Sequence, residues 1–188
     1  MKRRTFITLL AVAPVAACAR PPYATIRGLT MGTSYTVELA APIDDAARTR
    51  LAALIEAELA AINRTMSTYD PRSELSEFNR RQDLRWTPAS RSLLEVLESA
   101  ARISASTQGA FDVTVGPLVD LWGFGPDYRT RQVPNEAAIG RVRESVGFRQ
   151  LQIDPSAGAI RKKQGGTQVD LSAIAKGYGV DRVAMVLD

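Results

Sequence analysis

The sequence predicts a layered α+β domain, and three observations carry that expectation. Two long segments, "APIDDAARTRLAALIEAELAAINRTMS" and "TPASRSLLEVLESAARISAST", repeat apolar residues at helical spacing. "GLTMGTSYTVELA" alternates at strand spacing, and "FRQLQIDPSAGAIRKK" reads as a hairpin. Helices mixed with a hairpin favour an α+β layer arrangement over a strict βαβ array. At 188 residues the chain is long enough for one such domain.

The N-terminal segment reads as an address. "MKRRTFITLLAVAPVAAC" starts basic, then runs apolar from Phe6 to Ala17. That run is too short to span a bilayer and ends in small residues, so residues 1–17 are expected to be a secretory signal. "RRTFI" is similar to a twin-arginine export motif, although an ordinary export leader also starts with basic residues. "VAAC" resembles the lipobox of bacterial lipoproteins, which makes Cys18 the expected lipidation site. Three acyl chains there would anchor the protein stably, at about 0.8 kcal/mol per buried methylene. The other reading of Cys18 is a small apolar residue in a leader. Residues 18–25 are expected to be the lipid anchor and tether, and 26–188 the folded domain. The protein is thus expected to be an exported lipoprotein, membrane-anchored and facing the periplasm.

Within the domain, Met31, Thr33, Tyr35, Val37 and Leu39 share one face of a strand. Leu51, Leu54, Ile55, Leu59 and Ile62 form a helical stripe behind Asp44 as N-cap. "STYDPRSELSEFNR" is expected to turn into a short helix capped by Asp70, with Pro71 in its first turn. The next helix is expected to be capped by Thr87 with Pro88 at its first position, and to face Leu93, Leu94, Leu97 and Ala101 inward. Residues 133–147 predict a third helix closed by Gly147. "TQVDLSAIAKGYGVDRVAMVLD" predicts a strand ending at Asp170 and Leu171, then a helix capped by Ser172. Its stripe of Val180, Val183, Ala184 and Leu187 has no later element to cover it. The chain is therefore expected to be truncated at its C-terminus, or to pair as a homodimer.

Composition excludes several chemistries. There is no histidine, so Ser-His-Asp catalysis, imidazole bases and His-ligated zinc are absent from this sequence. Its single cysteine rules out an internal disulfide and a cysteine metal cluster. Net charge is +4, most of it from Lys2, Arg3 and Arg4, and no basic run interleaved with aromatics follows. No nucleic-acid partner is expected.

Two stretches look built for a ligand. "GAFDVTVGPLVDLWGFGP" packs glycines, prolines, aromatics and two acids into one segment, as a shaped pocket wall would. "DLSAIAKGYGVDR" places a helix start beside Lys176 with Gly177 and Gly179 near it, an arrangement that suits an anion. It is not a P-loop, and a helix with a packed glycine face is the plainer reading.

Four segments in order, "MGTSYTV", "MSTYDPRSELSEFN", "GAFDVTVGPLVDLWGFG" and "VDLSAIAKGYGVDR", make a series that closely resembles the ApbE family, the FAD:protein FMN transferases. The likeness covers residues from about 25 to 188. It implies an ApbE-like, T-fold-like layered α+β domain. It also implies Mg²⁺-dependent transfer of FMN from FAD to a Thr or Ser hydroxyl of target flavoproteins, releasing AMP. The implied partners are subunits of ion-translocating electron-transport complexes.

Residue by residue, the resemblance implies that Met31, Tyr69, Ala110, Phe111, Asp112, Lys176 and Arg182 contact the flavin nucleotide. It puts Gly179 at a backbone Mg²⁺ ligand, where many members have Ala. Side-chain Mg²⁺ ligands and a "H-x-x-D-P" segment, present in family members past this point, have no counterpart here. Taken singly, Met31 reads equally as strand packing, Tyr69 as a surface-to-core bridge, Asp112 as a turn cap and Lys176 as a solvated charge. Trp122 and Phe124 read as core. An FAD pyrophosphatase and a non-catalytic FAD-binding lipoprotein are the competing functions.

Overall fold

The computed structural model describes residues 23–126 and 133–187. The leader and Cys18 lie outside the described residues. The described part opens with a hairpin rather than one strand. β1 (Ala24–Thr30) pairs antiparallel with β2 (Thr33–Leu39), from Ala24 opposite Leu39 to Thr30 opposite Thr33. β1 thus begins inside the stretch read as a tether. Met31 and Gly32 form the two-residue turn, with φ of 48° and 70°. Positive φ at both central positions matches the twist of a tight hairpin.

α1 (Asp45–Met66) starts as expected. The Asp44 carboxylate accepts the Ala47 N–H at 2.6 Å. Ile55, Leu59, Ile62 and Met66 are buried, while Leu54 faces outward. α2 (Glu74–Arg80) is capped by Ser73, not Asp70; Ser73 Oγ accepts the Ser76 N–H at 3.0 Å. Asp70 closes the turn before it, accepting the Arg72 N–H at 2.9 Å.

The Thr87 and Pro88 expectation also fails. These residues form β3 (Thr87–Pro88), and α3 (Arg91–Ser106) is capped by Ser90. β3 pairs antiparallel with β5 (Ala159–Lys162), which pairs on its other side with β4 (Leu151–Asp154). β3 is therefore an edge strand, where a proline's missing N–H is tolerated. On α3, Leu93, Leu94, Val96, Leu97 and Ala100 are buried, whereas Ala101 is only half-buried.

α4 (Gly116–Leu121) is short and carries Pro117 in its first turn. α5 (Glu136–Arg143) is shorter than expected and is capped by Asn135, whose Oδ1 accepts the Ala138 N–H at 2.9 Å. Gly147, at φ 145°, opens a 3₁₀ turn over Phe148–Gln150 rather than closing the helix. The expected β4–β5 hairpin is present. The expected strand at 167–171 reduces to one parallel bridge between Val115 and Gln168, and α6 (Ala175–Leu187) follows.

Two apolar clusters hold these elements. The larger joins α1, α2 and α3 to Ile160, Val169 and Leu171. The smaller joins Ile26, Ile55, Leu59 and Val183, binding β1, α1 and α6. Met31 packs against both. The stripe on α6 is thus covered in part from within the chain. Val183 is buried and Leu187 packs on that cluster, while Val180 and Ala184 stay exposed.

Lys162, at the end of β5, is buried. Its Nζ donates to the Asn79 and Arg81 carbonyls, both at 2.8 Å, and so neutralises the C-terminal end of α2. Burial pulls its pKa from 10.5 down to about 8, partly offset by Asp83. The native chain therefore releases this proton near pH 8 and the unfolded chain near 10.5. Between those values the unfolded state binds more protons, so the Lys162 contribution makes stability rise with pH. Lys162→Met should remove that rise, which urea unfolding of both proteins across this range will measure.

Candidate functional site

Four segments border a cavity of about 1140 Å³: the hairpin turn, the end of α1 with its loop, residues 109–124 and residues 170–176. Small-ligand sites run to roughly 1,000 Å³, so this one suits a large ligand.

Met31 reaches the cavity from the hairpin turn. Left-handed backbone is uncommon for a residue with a side chain, and Asn-Gly is the usual pair for such a turn. Placing a methionine there sends a long, adaptable apolar side chain down between the two clusters.

Three serines shape the next wall. Ser67 caps the end of α1; its Oγ accepts the Tyr69 and Asp70 N–H groups at 3.1 and 3.0 Å. The Ser67 carbonyl accepts the Ser73 and Ser76 hydroxyls, the latter at 3.0 Å. This knot sets Tyr69 on the rim, where its hydroxyl donates to the Phe124 carbonyl at 3.4 Å. Phe124 lines the cavity and is 64% exposed, so it is not core. Trp122 is partly exposed and lies outside the lining.

The third wall follows a left-handed exit from α3. Gln108 and Gly109 have φ of 54° and 87°, and the Gly109 N–H returns to the Ser104 carbonyl at 2.8 Å. The chain then runs along the cavity as Ala110, Phe111 and Asp112. Asp112 Oδ1 accepts both the N–H and the hydroxyl of Thr114 at 2.7 Å. Thr114 is fully buried, and its Oγ1 accepts the Gly147 N–H at 2.7 Å. One oxygen of Asp112 thus fixes the wall; Oδ2 has no hydrogen bond among the described residues.

The fourth wall is tied from both sides. The Asn79 amide brackets Val169, donating to its carbonyl and accepting its N–H, both at 2.8 Å. From the opposite side, the Asp170 N–H donates to the Val113 carbonyl at 2.7 Å. Gly116 lies flat on this segment; a Cβ there would sit 2.9 Å from the Gln168 carbonyl oxygen. Gly116→Ala should therefore cost about 1–3 kcal/mol, because backbone must move to admit it. Chemical denaturation will read that loss.

Ser172 does not cap α6. Its N–H donates to Asp170 Oδ1 at 2.7 Å, and the Leu171 carbonyl takes the Ile174 and Ala175 N–H groups. The Tyr178 hydroxyl donates to Glu95 at 3.2 Å, fastening α6 to α3; burial first, then the Glu95 charge, raises its pKa. Lys176, in the first turn of α6, lines the cavity with no ion pair among the described residues. Lys176 and the start of α6 bring positive charge to one end of this wall, whose other end carries Asp170.

Of the sequence-derived residues, Met31, Tyr69, Ala110, Phe111, Asp112 and Lys176 meet at this cavity. Arg182 does not. Its Nε lies 2.6 Å from Glu58 on α1, which raises the guanidinium pKa. Gly179 is also elsewhere, buried in the second turn of α6 against Met31, Leu59 and Ile62. In mid-helix its carbonyl belongs to the helical hydrogen-bond ladder, so it does not fit a metal ligand. No cluster of three or more His, Cys, Asp or Glu able to hold a metal occurs among the described residues. Asp112 and Asp170 each commit one oxygen to the chain itself, so these residues do not form a complete magnesium shell.

Sequence reasoning missed Ser67, Asn79, Thr114 and Asp170. All stand inside or beside the quoted segments, but their roles depend on partners elsewhere. A smaller polar cavity of about 650 Å³ adjoins the first and shares Thr68, Tyr69 and Asp170 with it.

Comparison with known proteins identifies the family. The ApbE family profile matches residues 31–188. The FAD:protein FMN transferase of Vibrio cholerae is 38% identical over 183 residues, covering 97% of this chain and 54% of that protein. The Salmonella typhimurium protein of the same name is 36% identical over 178 residues, covering 94% and 51%. The chain spans about half the length of these relatives. Among solved structures, the flavin transferase ApbE from Vibrio cholerae superposes with a TM-score of 0.81 at 38% identity, covering 88% of this chain and 53% of that one. The apo Pseudomonas stutzeri flavinyl transferase ApbE gives 0.81 at 33% identity, covering 89% and 55%. By its sequence and its fold, the chain belongs to the ApbE family.

Proposed function

We propose that this chain forms the flavin-nucleotide wall of an FAD:protein FMN transferase. The observation that supports this best is the large cavity, which gathers four separated segments of the sequence around one space. Met31, Phe111, Tyr69 and Phe124 offer apolar and aromatic surface for flat rings. Lys176 and the start of α6 bring positive charge to the pyrophosphate. Asp112 Oδ2 accepts a donor from the ligand.

In the reaction, a Ser or Thr oxygen of the acceptor protein bonds to the phosphorus of the FMN half. The bridging P–O bond breaks, AMP leaves with the bridging oxygen, and the hydroxyl proton is released. Such transfers ask a protein mainly for positioning and charge neutralisation. Magnesium dependence is part of this proposal: a bound ion would supply charge neutralisation, and its side-chain ligands would have to come from outside the described residues.

The acceptors we propose are flavoprotein subunits of electron-transport complexes outside the cytoplasm. Export and lipidation at Cys18 would place the chain beside them. No helix among the described residues is long and apolar enough to cross a membrane; the anchor in this proposal is the acylated Cys18.

The test is the intact mass of a purified acceptor domain after incubation with the chain, FAD and Mg²⁺, beside a full-length relative as control. A gain of one FMN, lost without Mg²⁺, is expected if the chain suffices. Free FMN without labelled acceptor would mean hydrolysis instead. No reaction beside an active control would confine this chain to binding.

A further inference from the structure

Lys162 is a charged side chain outside the cavity lining, 1% exposed at the end of β5. It forms no ion pair among the described residues; Asp83 and Arg81 are the charged groups that act on it. Burial pulls its pKa down to about 8, so the fold holds this charge at a cost. What the ammonium gains is the end of α2. Its Nζ donates at 2.8 Å to the carbonyls of Asn79 and Arg81, which have no helical partner, and lies 5.2 Å from the Phe78 ring centre.

The contact with Asn79 reaches further than the helix end. Holding the Asn79 carbonyl fixes the peptide plane after it, and so the direction in which the Asn79 side chain leaves the backbone. That side chain has little latitude. One amide must meet both the carbonyl and the N–H of Val169, each at 2.8 Å. Such bonds weaken steeply when misaligned. Asp170, the next residue, lines both cavities, and its Oδ1 takes the Ser172 N–H. Hydrogen bonds thus run from β5 through the end of α2 to the fourth wall.

We propose that Lys162 is a positioning residue for the flavin-nucleotide site: its ammonium fixes the end of α2 so that the Asn79 amide holds Val169, and with it the cavity wall that begins at Asp170. This rests on the reading of the cavity as a flavin-nucleotide site. It gives a buried cation that touches no ligand a share in ligand affinity.

The test is Lys162→Met, which keeps the length and apolar bulk of the side chain but not its donors. FAD affinity at pH 7 should fall on the order of tenfold. Amide hydrogen exchange without ligand separates positioning from plain stability. Exchange at Val169 should speed up on the order of tenfold more than at Leu97, a buried residue of α3. A merely structural lysine would change both amides by one factor. That result, or FAD affinity equal to the parent's, would overturn the proposal. If the parent itself fails to bind FAD, the reading of the site fails, and the exchange comparison still decides whether Lys162 positions Val169.

Should Lys162→Met not fold, the parent alone decides. Its Lys162 Cε resonance should titrate near pH 8, in a sequence with no histidine. The Asn79 side-chain amide and the Val169 amide should follow with the same midpoint. A Lys162 titration that leaves both unmoved would refute the link.

Discussion

Asn79→Leu should lower stability by roughly 2–6 kcal/mol and abolish FAD binding at accessible concentrations. The reason is local. Val169 is fully buried, and both its N–H and its carbonyl are satisfied by the Asn79 side chain at 2.8 Å. Leucine fills similar space but leaves two buried backbone groups without partners, each costing about 1–3 kcal/mol. The residues that follow, Asp170 and Leu171, are cavity wall, so the loss propagates to the site. Urea unfolding measures the first effect and FAD titration the second. A variant as stable as the parent would show that the Val169 backbone finds other partners.

Asp112→Ala should weaken FAD binding on the order of 100-fold, because it removes an ionised acceptor from the cavity and frees the wall behind it. The wall moves because Oδ1 holds both the N–H and the hydroxyl of buried Thr114. Asp112→Asn separates the two contributions. The amide oxygen can keep the Thr114 bonds, so the melting temperature should stay near the parent value. The charge is lost, and affinity should fall roughly tenfold. Unchanged affinity in Asp112→Asn, with lowered affinity in Asp112→Ala, would make Asp112 a wall fixture with no ligand contact. Isothermal titration of both variants decides this.

Much of the fold was legible because its signals are local. The Asp44 cap, the stripe of α1 and the turn between β4 and β5 each need only neighbouring residues. The misreadings share a cause. Pro88 has the look of a helix start, but its place is set by pairing with Ala159 on β5, far along the sequence. Asp70 and Ser73 are both good caps; hydrogen bonds from Ser73 and Ser76 to the Ser67 carbonyl decide between them. Met-Gly is not an expected hairpin dipeptide, so the alternation around it read as a single strand. Residues 167–171 have strand composition, yet one side is held by the Asn79 side chain instead of a neighbouring strand.

The cavity was legible as four segments because each brings glycine, acid and aromatic residues together. Which side chains turn inward was harder to read. Arg182 and Lys176 lie on the same helix but six residues apart, about 120° around it, and Arg182 pairs with Glu58 on α1. The family resemblance puts a metal-ligating carbonyl at Gly179. It lies inside α6, and its contact with Met31 could not be inferred from spacing.

In the proposed function these four segments form one flavin-nucleotide site. The most direct measurement is the backbone amide spectrum of the chain, without its leader, titrated with FAD. Saturable shifts are expected at Met31 and Gly32, Ser67 to Tyr69, Gly109 to Val113 and Asp170 to Lys176, with none at Trp86 and Arg161, which stack on each other outside the cavity lining. Shifts confined to other surfaces, or no saturable change, would contradict it.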